Sequence, residues 1–183
     1  MSEQHMHTPT LVTQRLHLRP ITREDIDFIY KLFKRPETNK YSEYNDLTSI
    51  TEAVKMYEDY LKPGKPRHFR VIIELKETRT PIGTIGLYQY SEPHKRAEVG
   101  YDLLRKYWGK GLTSEAVKEI VCYGFTELGL VRVAATVDPD NVASIGVLVK
   151  SGFKCEGRLR RRFKYRGAWH DELVYGLLKD ESC

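Results

Sequence analysis

Residues 105–116 read "RKYWGKGLTSEA". Gly109 and Gly111 stand two apart, Lys106 and Lys110 sit beside them, and a run with helical spacing follows from Thr113. A helix start carries unpaired backbone N–H groups and a partial positive charge, and glycines let such a turn close on an anion. The stretch therefore points to a phosphate-bearing ligand. It is not a Walker loop, which needs four residues between its glycines and a Lys-Ser or Lys-Thr end. It is not a Rossmann loop either, which needs a third glycine and an early βαβ unit. Glycines at a strand-to-helix turn also serve as plain turn-formers, and the loop alone leaves both readings open.

Outward from this loop the pattern is legible. Upstream, "HFRVIIEL" (68–75), "PIGTIGLYQY" (81–90) and "RAEVGYDLL" (96–104) are strand candidates joined by short polar turns, an antiparallel meander. In the third, Ala97, Val99, Tyr101 and Leu103 point one way; Glu98, Gly100 and Asp102 point the other. That places a carboxylate beside a glycine on one face, where another molecule can approach. "RLHLRPI" (15–21) is a first strand. Two capping boxes open helices, Thr22 with Asp25 and Ser49 with Glu52; Pro36 ends the first, and Ile50, Ala53, Val54, Tyr57 and Leu61 face inward on the second. "KPGKP" (62–66) is a turn. Downstream of the loop come a helix from Thr113 to about Leu128, a strand at 131–137, and a turn at "DPDN". A shorter helix then turns Ile145, Leu148 and Val149 inward, and a closing hairpin joins 153–166 to 169–178. The order predicts an α/β (α+β) architecture: a mixed, mostly antiparallel sheet of about seven strands flanked by about four helices. A single domain is expected over 11–180, behind a flexible tail over 1–10 that carries His5 and His7.

The 183 residues carry a net charge of +5, which suits an anionic ligand without requiring one. No apolar run approaches the roughly 18 residues of a membrane span, and the polar start lacks a signal peptide's apolar stretch, so a cytoplasmic location is expected. Cys122, Cys155 and Cys183 form no metal-like pattern, and no metal is expected. "RLRRRFKYR" (158–166) reads as an alternating strand with Arg158, Arg160, Arg162, Lys164 and Arg166 on one face. A solvated strand face and a surface for an acidic partner both fit it; no RNA-stacking or helix-turn-helix pattern supports direct nucleic-acid binding.

The stretches "AEVGYDLL", "RKYWGKGLTSEA" and "DPDNVASIGVLVKSGFKCEGRLR", with "TQRLHLRPITREDID" before them and "WHDELVYGLL" after, together resemble the GNAT N-acetyltransferase superfamily. They look most like its RimJ/RimL-type branch of ribosomal-protein N-terminal acetyltransferases. The resemblance implies acetyl-CoA as cosubstrate and a phosphate loop of the form Q/R-x-x-G-x-G/A, here Lys106 to Gly111, with Lys standing where Gln or Arg is usual. It implies cofactor contacts at Leu103, Leu104, Arg105, Lys106, Trp108, Gly109, Lys110, Gly111, Leu112 and Thr113. It also implies that Asn141 and Ser144, as N-x-x-S, meet the cofactor arm and its sulfur. A backbone N–H near Leu103 is the implied oxyanion donor, Ser144 the candidate acid and Glu98 the candidate base. Ser144 also fits an ordinary first-turn helix serine, and Glu98 a structural carboxylate paired with a basic neighbour. Asp171 and Tyr175 are second choices for the base, and His170 reads as a surface histidine. Phe163 stands where some RimL-type enzymes carry a glutamate base. The expected acceptor is a primary amine, either a protein N-terminus or a small amine, for which Glu43 and Asp46 offer negative charge. The family also suggests a homodimer. The alternative is a non-catalytic acyl-CoA-binding regulatory protein on the same fold.

Overall fold

The computed structural model describes residues 8–42, 45–61 and 68–182. His5, His7, Glu43, the turn at 62–66 and Cys183 lie outside the described residues. One eight-stranded sheet runs β1-β2-β3-β4-β5-β6-β8-β7. Its strands are β1 (Leu11–Val12), β2 (Leu16–Pro20), β3 (Phe69–Leu75), β4 (Pro81–Ser91), β5 (Arg96–Leu103), β6 (Arg132–Val137), β7 (Lys154–Tyr165) and β8 (Ala168–Leu178). Neighbours are antiparallel except β5 and β6, which run parallel because a helix crosses between them.

The helices are α1 (Ile26–Phe33), α2 (Pro36–Asn39), α3 (Ile50–Leu61), α4 (Leu112–Thr126) and α5 (Val142–Lys150). Strand β1 and helix α2 exceed the sequence expectation, and both are too short to show a period. Pro36 follows the end of α1 and also opens α2, at the first-turn position where its missing N–H costs nothing.

One face of the sheet packs α4 and α5 over a core that includes Ile85, Val99, Leu103, Ala116, Val117, Ile120 and Leu148. The other packs α1 and α3 around Ile72. The buried side of α3 is Ala53 with Tyr57; Ile50 and Val54 are 47% and 40% exposed, against the expected stripe. Val149 is likewise exposed, so α5 is held by Leu148 with Ile145 beside it. Both helices lie on the outside of the sheet with one side in solvent, which narrows the stripe that the sequence period suggests.

The closing hairpin also departs from simple alternation. Leu159 pairs with Glu172 and Phe163 with His170, so Arg160, Arg161 and Arg162 oppose Asp171 alone. This is a bulge, with Arg161 at φ 51° and its N–H donating to Asp171 Oδ1 at 2.8 Å. The arginines of 158–166 therefore do not share one face.

A wedge in the sheet is the consequence that matters for function. β5 pairs with β6 only at Arg96, Ala97 and Glu98. Beyond Glu98 the two strands part. The Leu104 N–H donates to the Ile82 carbonyl at 2.9 Å, so the antiparallel alternation turns the N–H groups of Tyr101 and Leu103 to the other edge, toward the wedge.

Candidate active site

The loop before α4 forms as its glycines require. Gly109 and Gly111 both sit at φ 74°, and Gly111 is the N-cap of α4. A side chain added at Gly109 would meet nothing within 4 Å, so the backbone there borders open space. The Lys106 and Lys110 ammonium groups lie 4.9 and 5.5 Å from the centre of the Tyr107 ring, which gathers two cations at one turn. A 15-residue helix opening on a glycine cradle with two lysines fits a diphosphate group. Leu112 is buried, so only its backbone can face a ligand; Thr113 follows in the first turn.

Other residues at the loop are already committed. The Trp108 indole Nε1 donates to the Leu103 carbonyl at 2.7 Å, locking the strand end to the loop. Leu104 has its N–H on Ile82 and its carbonyl on the Tyr107 N–H, and the Arg105 carbonyl accepts from the Trp108 N–H. The Leu103 N–H, like that of Tyr101, is turned toward the wedge.

Arg15 is a loop residue that sequence reasoning passed over. Its Nη1 donates to the Lys110 carbonyl at 2.9 Å, and its Nε donates to Glu115 at 2.7 Å. The Arg15 N–H and Thr13 Oγ1 converge on the same carboxylate, and these donors hold Glu115 below its ordinary pKa although burial opposes them. The first strand region thus braces the glycine loop from about 95 residues away in sequence. No spacing rule within the loop shows this.

Across the wedge, Asn141 caps α5 and accepts from the Ser144 N–H at 3.1 Å. The Ser144 hydroxyl meets Tyr101 Oη at 2.8 Å. Tyr101 is mostly buried, and burial pushes its phenol up to about 12, so it stays protonated at neutral pH. The strand's alternation gave Tyr101 its direction, but its partner is 43 residues away and was not legible.

Glu98 lies on the opposite face, at the throat of the wedge. Burial raises its pKa, against a hydrogen bond with Tyr88 and the positive charges of Arg96, Arg162 and Arg132. The space over Gly100, expected to admit another molecule, is filled by the Tyr88 ring: an added Cβ would lie 2.9 Å from it. Asp102 is ion-paired with Arg70. Farther along this face Asp138 meets His170 Nδ1 at 3.3 Å, and His170 stacks on Phe163 with ring centres 5.2 Å apart. Asp46 pairs with Arg166 at 3.2 Å and accepts from Asn39. Asp171 is held by the Arg161 N–H and Arg158, which lower its pKa, and Tyr175 is buried in the core. Among the described residues no helix is long and apolar enough to cross a membrane, and no cluster of three or more metal-ligating side chains occurs.

A glycine-lined helix start beside a wedge in a mixed sheet, with titratable groups on both sides, suits a phosphate-bearing ligand. Residues 15–154 match the acetyltransferase (GNAT) domain family. The chain is 40% identical over 175 residues to the uncharacterized N-acetyltransferase p20 of Bacillus licheniformis, covering 94% of this chain and 97% of that one. It is 28% identical over 156 residues to spermidine N(1)-acetyltransferase of Escherichia coli, covering 85% and 82%. The fold is that of spermidine N-acetyltransferase from Vibrio cholerae, solved with CoA and spermine, at a TM-score of 0.82 and 23% identity over 92% of this chain and 98% of that one. The protein belongs to the GNAT acetyltransferase family and is an N-acetyltransferase.

Proposed function

We propose that this enzyme moves an acetyl group from acetyl-CoA directly to the α-amine of a peptide or of a small amine-bearing molecule, without an acyl-enzyme. The register of β5 on β6 carries the reading: it opens a wedge between Glu98 on one face and the Tyr101–Ser144 pair on the other.

In this reading the N–H groups over Gly109, Gly111, Leu112 and Thr113, with Lys106 and Lys110, hold the pyrophosphate. Asn141 and the edge of β5 line the cofactor arm. The Leu103 N–H faces the acetyl oxygen and stabilises the charge that develops there. Glu98 takes the proton from the amine, directly or through one water, as the nitrogen bonds to the acetyl carbon. Ser144 gives a proton to the departing sulfur as the carbon–sulfur bond breaks, and Tyr101 supplies the hydrogen bond behind it. The raised pKa of Glu98 improves it as a proton acceptor near neutral pH.

An α-amine has a pKa of about 8 and is partly neutral at working pH, whereas a lysine-like amine, at about 10.4, asks more of its base. Glu98 lies among arginines, and Glu156, Glu172, Asp138 and Asp46 along the same side are each paired with a cationic or imidazole partner. That face favours a singly charged or neutral amine over a polycation. A polyamine acceptor is the second reading, favoured by the spermidine-acetylating relative, which matches over 85% of the chain. The family supports a cytoplasmic homodimer as part of the same reading.

The test is CoA release from acetyl-CoA with short peptides, amino acids, aminoglycosides and polyamines. Turnover with peptides bearing free N-termini, lost in Gly109→Glu, is the expected result. Turnover confined to spermidine and spermine overturns the α-amine reading.

A further inference from the structure

The cationic run at 158–162 is not used by the reaction. Arg158 is paired with Asp171 at 2.7 Å and Arg162 with Glu172 at 3.6 Å, on opposite faces of the hairpin. Arg160 and Arg161 stand between them; neither side chain makes a close ion pair among the described residues, and the charge of Arg160 acts on Asp171. The surface here is open and shallow, formed by Arg158, Leu159, Arg160, Arg161 and Arg162. The backbone is bent to make it: three residues of β7 oppose one of β8, and Arg161 adopts a left-handed conformation that a bulky side chain rarely takes. Concentrating guanidinium groups on a strained bulge raises their mutual repulsion, which an anionic ligand relieves.

The sheet register gives the bulge its position relative to the wedge. Glu98 is level with Ala134, and Ala134 with Gly176. Five residues beyond Gly176, β8 reaches Asp171, opposite the bulge; five residues beyond Glu98, β5 reaches Leu103. Both counts run toward the same end of the sheet. The bulge is therefore level with the strand end that faces the acetyl group, two strand spacings, about 10 Å, to the side of β6. At about 3.3 Å per residue, an extended peptide with its amine in the wedge reaches the bulge at its third to fifth residue.

We propose that the arginine bulge of β7 is an acceptor-specificity site that binds acidic side chains near the N-terminus of a peptide acceptor. This rests on the α-amine reading above and narrows it to acidic peptides. Arg162 also carries positive charge to Glu98, which opposes the approach of a polycation.

The experiment compares kcat/KM for peptides that share their first two residues and carry Glu or Lys at positions three to five, with spermidine as a third acceptor. The wild type is expected to favour the acidic peptide at least tenfold, with the preference shrinking as salt rises. Arg160→Glu is expected to remove or reverse the preference while the KM for acetyl-CoA stays unchanged. Arg160→Ala, which only removes charge from an exposed position, is expected to give a partial loss. Equal kcat/KM for the two peptides, or a preference that survives in both variants, overturns the arginine site and leaves the α-amine reading standing. Acetylation of spermidine with neither peptide turned over overturns both.

Discussion

Tyr101 Oη and Ser144 Oγ lie 2.8 Å apart, and with a second hydrogen bond from Tyr101 Oη to the Ser144 carbonyl at 3.3 Å this contact joins β5 to α5 on the side of the wedge opposite Glu98. Strand and helix meet there through hydroxyl groups, at the position proposed above for the departing sulfur. Ser144→Ala is expected to lower kcat by about 10²-fold, the lower end of general acid catalysis, with little effect on the KM for the amine. Tyr101→Phe keeps the ring and removes the hydroxyl. It should cost about 1 kcal/mol of stability and lower kcat less than Ser144→Ala does. Steady-state kinetics with thermal unfolding of each variant checks both, and an unchanged kcat in Ser144→Ala removes Ser144 from the chemistry.

Glu98 offers a pH test with a defined sign. Its folded pKa is raised, so the folded state binds the extra proton, and stability falls as pH rises from the ordinary glutamate value through the raised one. In the proposed mechanism activity follows the opposite course, because there the deprotonated form serves as the base. Glu98→Gln is therefore expected to lose the acidic limb of the kcat/KM profile and about 10²-fold in rate, while its stability at pH 7 equals or exceeds that of the wild type. A profile that keeps its acidic limb assigns that limb to another group.

Arg15 connects the first strand region to the loop without lying in it. Arg15→Gln leaves Glu115 two of its donors and takes the guanidinium from the Lys110 carbonyl. The KM for acetyl-CoA should rise about tenfold, the equivalent of a charge-assisted hydrogen bond or slightly less, with kcat at saturation nearly unchanged. Arg15→Lys keeps the charge but not the fork, and recovers only part of the loss. Calorimetric titration with CoA separates this from a general loss of fold.

The Arg19–Asp25–Glu74 network ties β2 and β3 to the start of α1. Arg19 donates to Asp25 through both Nη atoms, at 2.6 and 2.7 Å, and to Glu74 through Nε at 2.6 Å. Burial alone would raise the Asp25 pKa, but Arg19 and the Thr22 N–H hold it below the ordinary value. That stabilisation is present above the unfolded aspartate value and lost as pH falls through the lower folded one. Asp25→Asn is expected to cost about 3 kcal/mol at pH 7, because Arg19 keeps a buried charge with one partner removed. The deficit should shrink below about pH 4. Urea melts at pH 7 and pH 3.5 measure both values.

Much of the fold could be read along the chain because its signals are local. The meander showed as alternating runs over 68–104, the loop as two glycines before a helical period, and both glycines took the positive φ that the turn demands. The first capping box formed where Thr22 and Asp25 placed it. Helix faces were less secure. Periodicity says which residues share a side but not how much of that side finds a neighbour, and so Ile50, Val54 and Val149 remain in solvent.

Sequence by itself pointed to a phosphate-bearing ligand, because the order of strand, glycine loop and helix is local, and to the class of chemistry through its motifs' resemblance to a family. Only the tertiary structure decided which groups stand at the wedge. Pairing of β5 with β6 stops at Glu98, and from there Tyr101 finds Ser144, Trp108 takes the Leu103 carbonyl, and Arg15 reaches the loop. Three residues of β7 facing one of β8 likewise turned an apparently regular basic strand into a bulge. Hydrogen bonds and sheet register depend on where residues distant in sequence come to lie, and no period along a single strand or helix encodes that meeting.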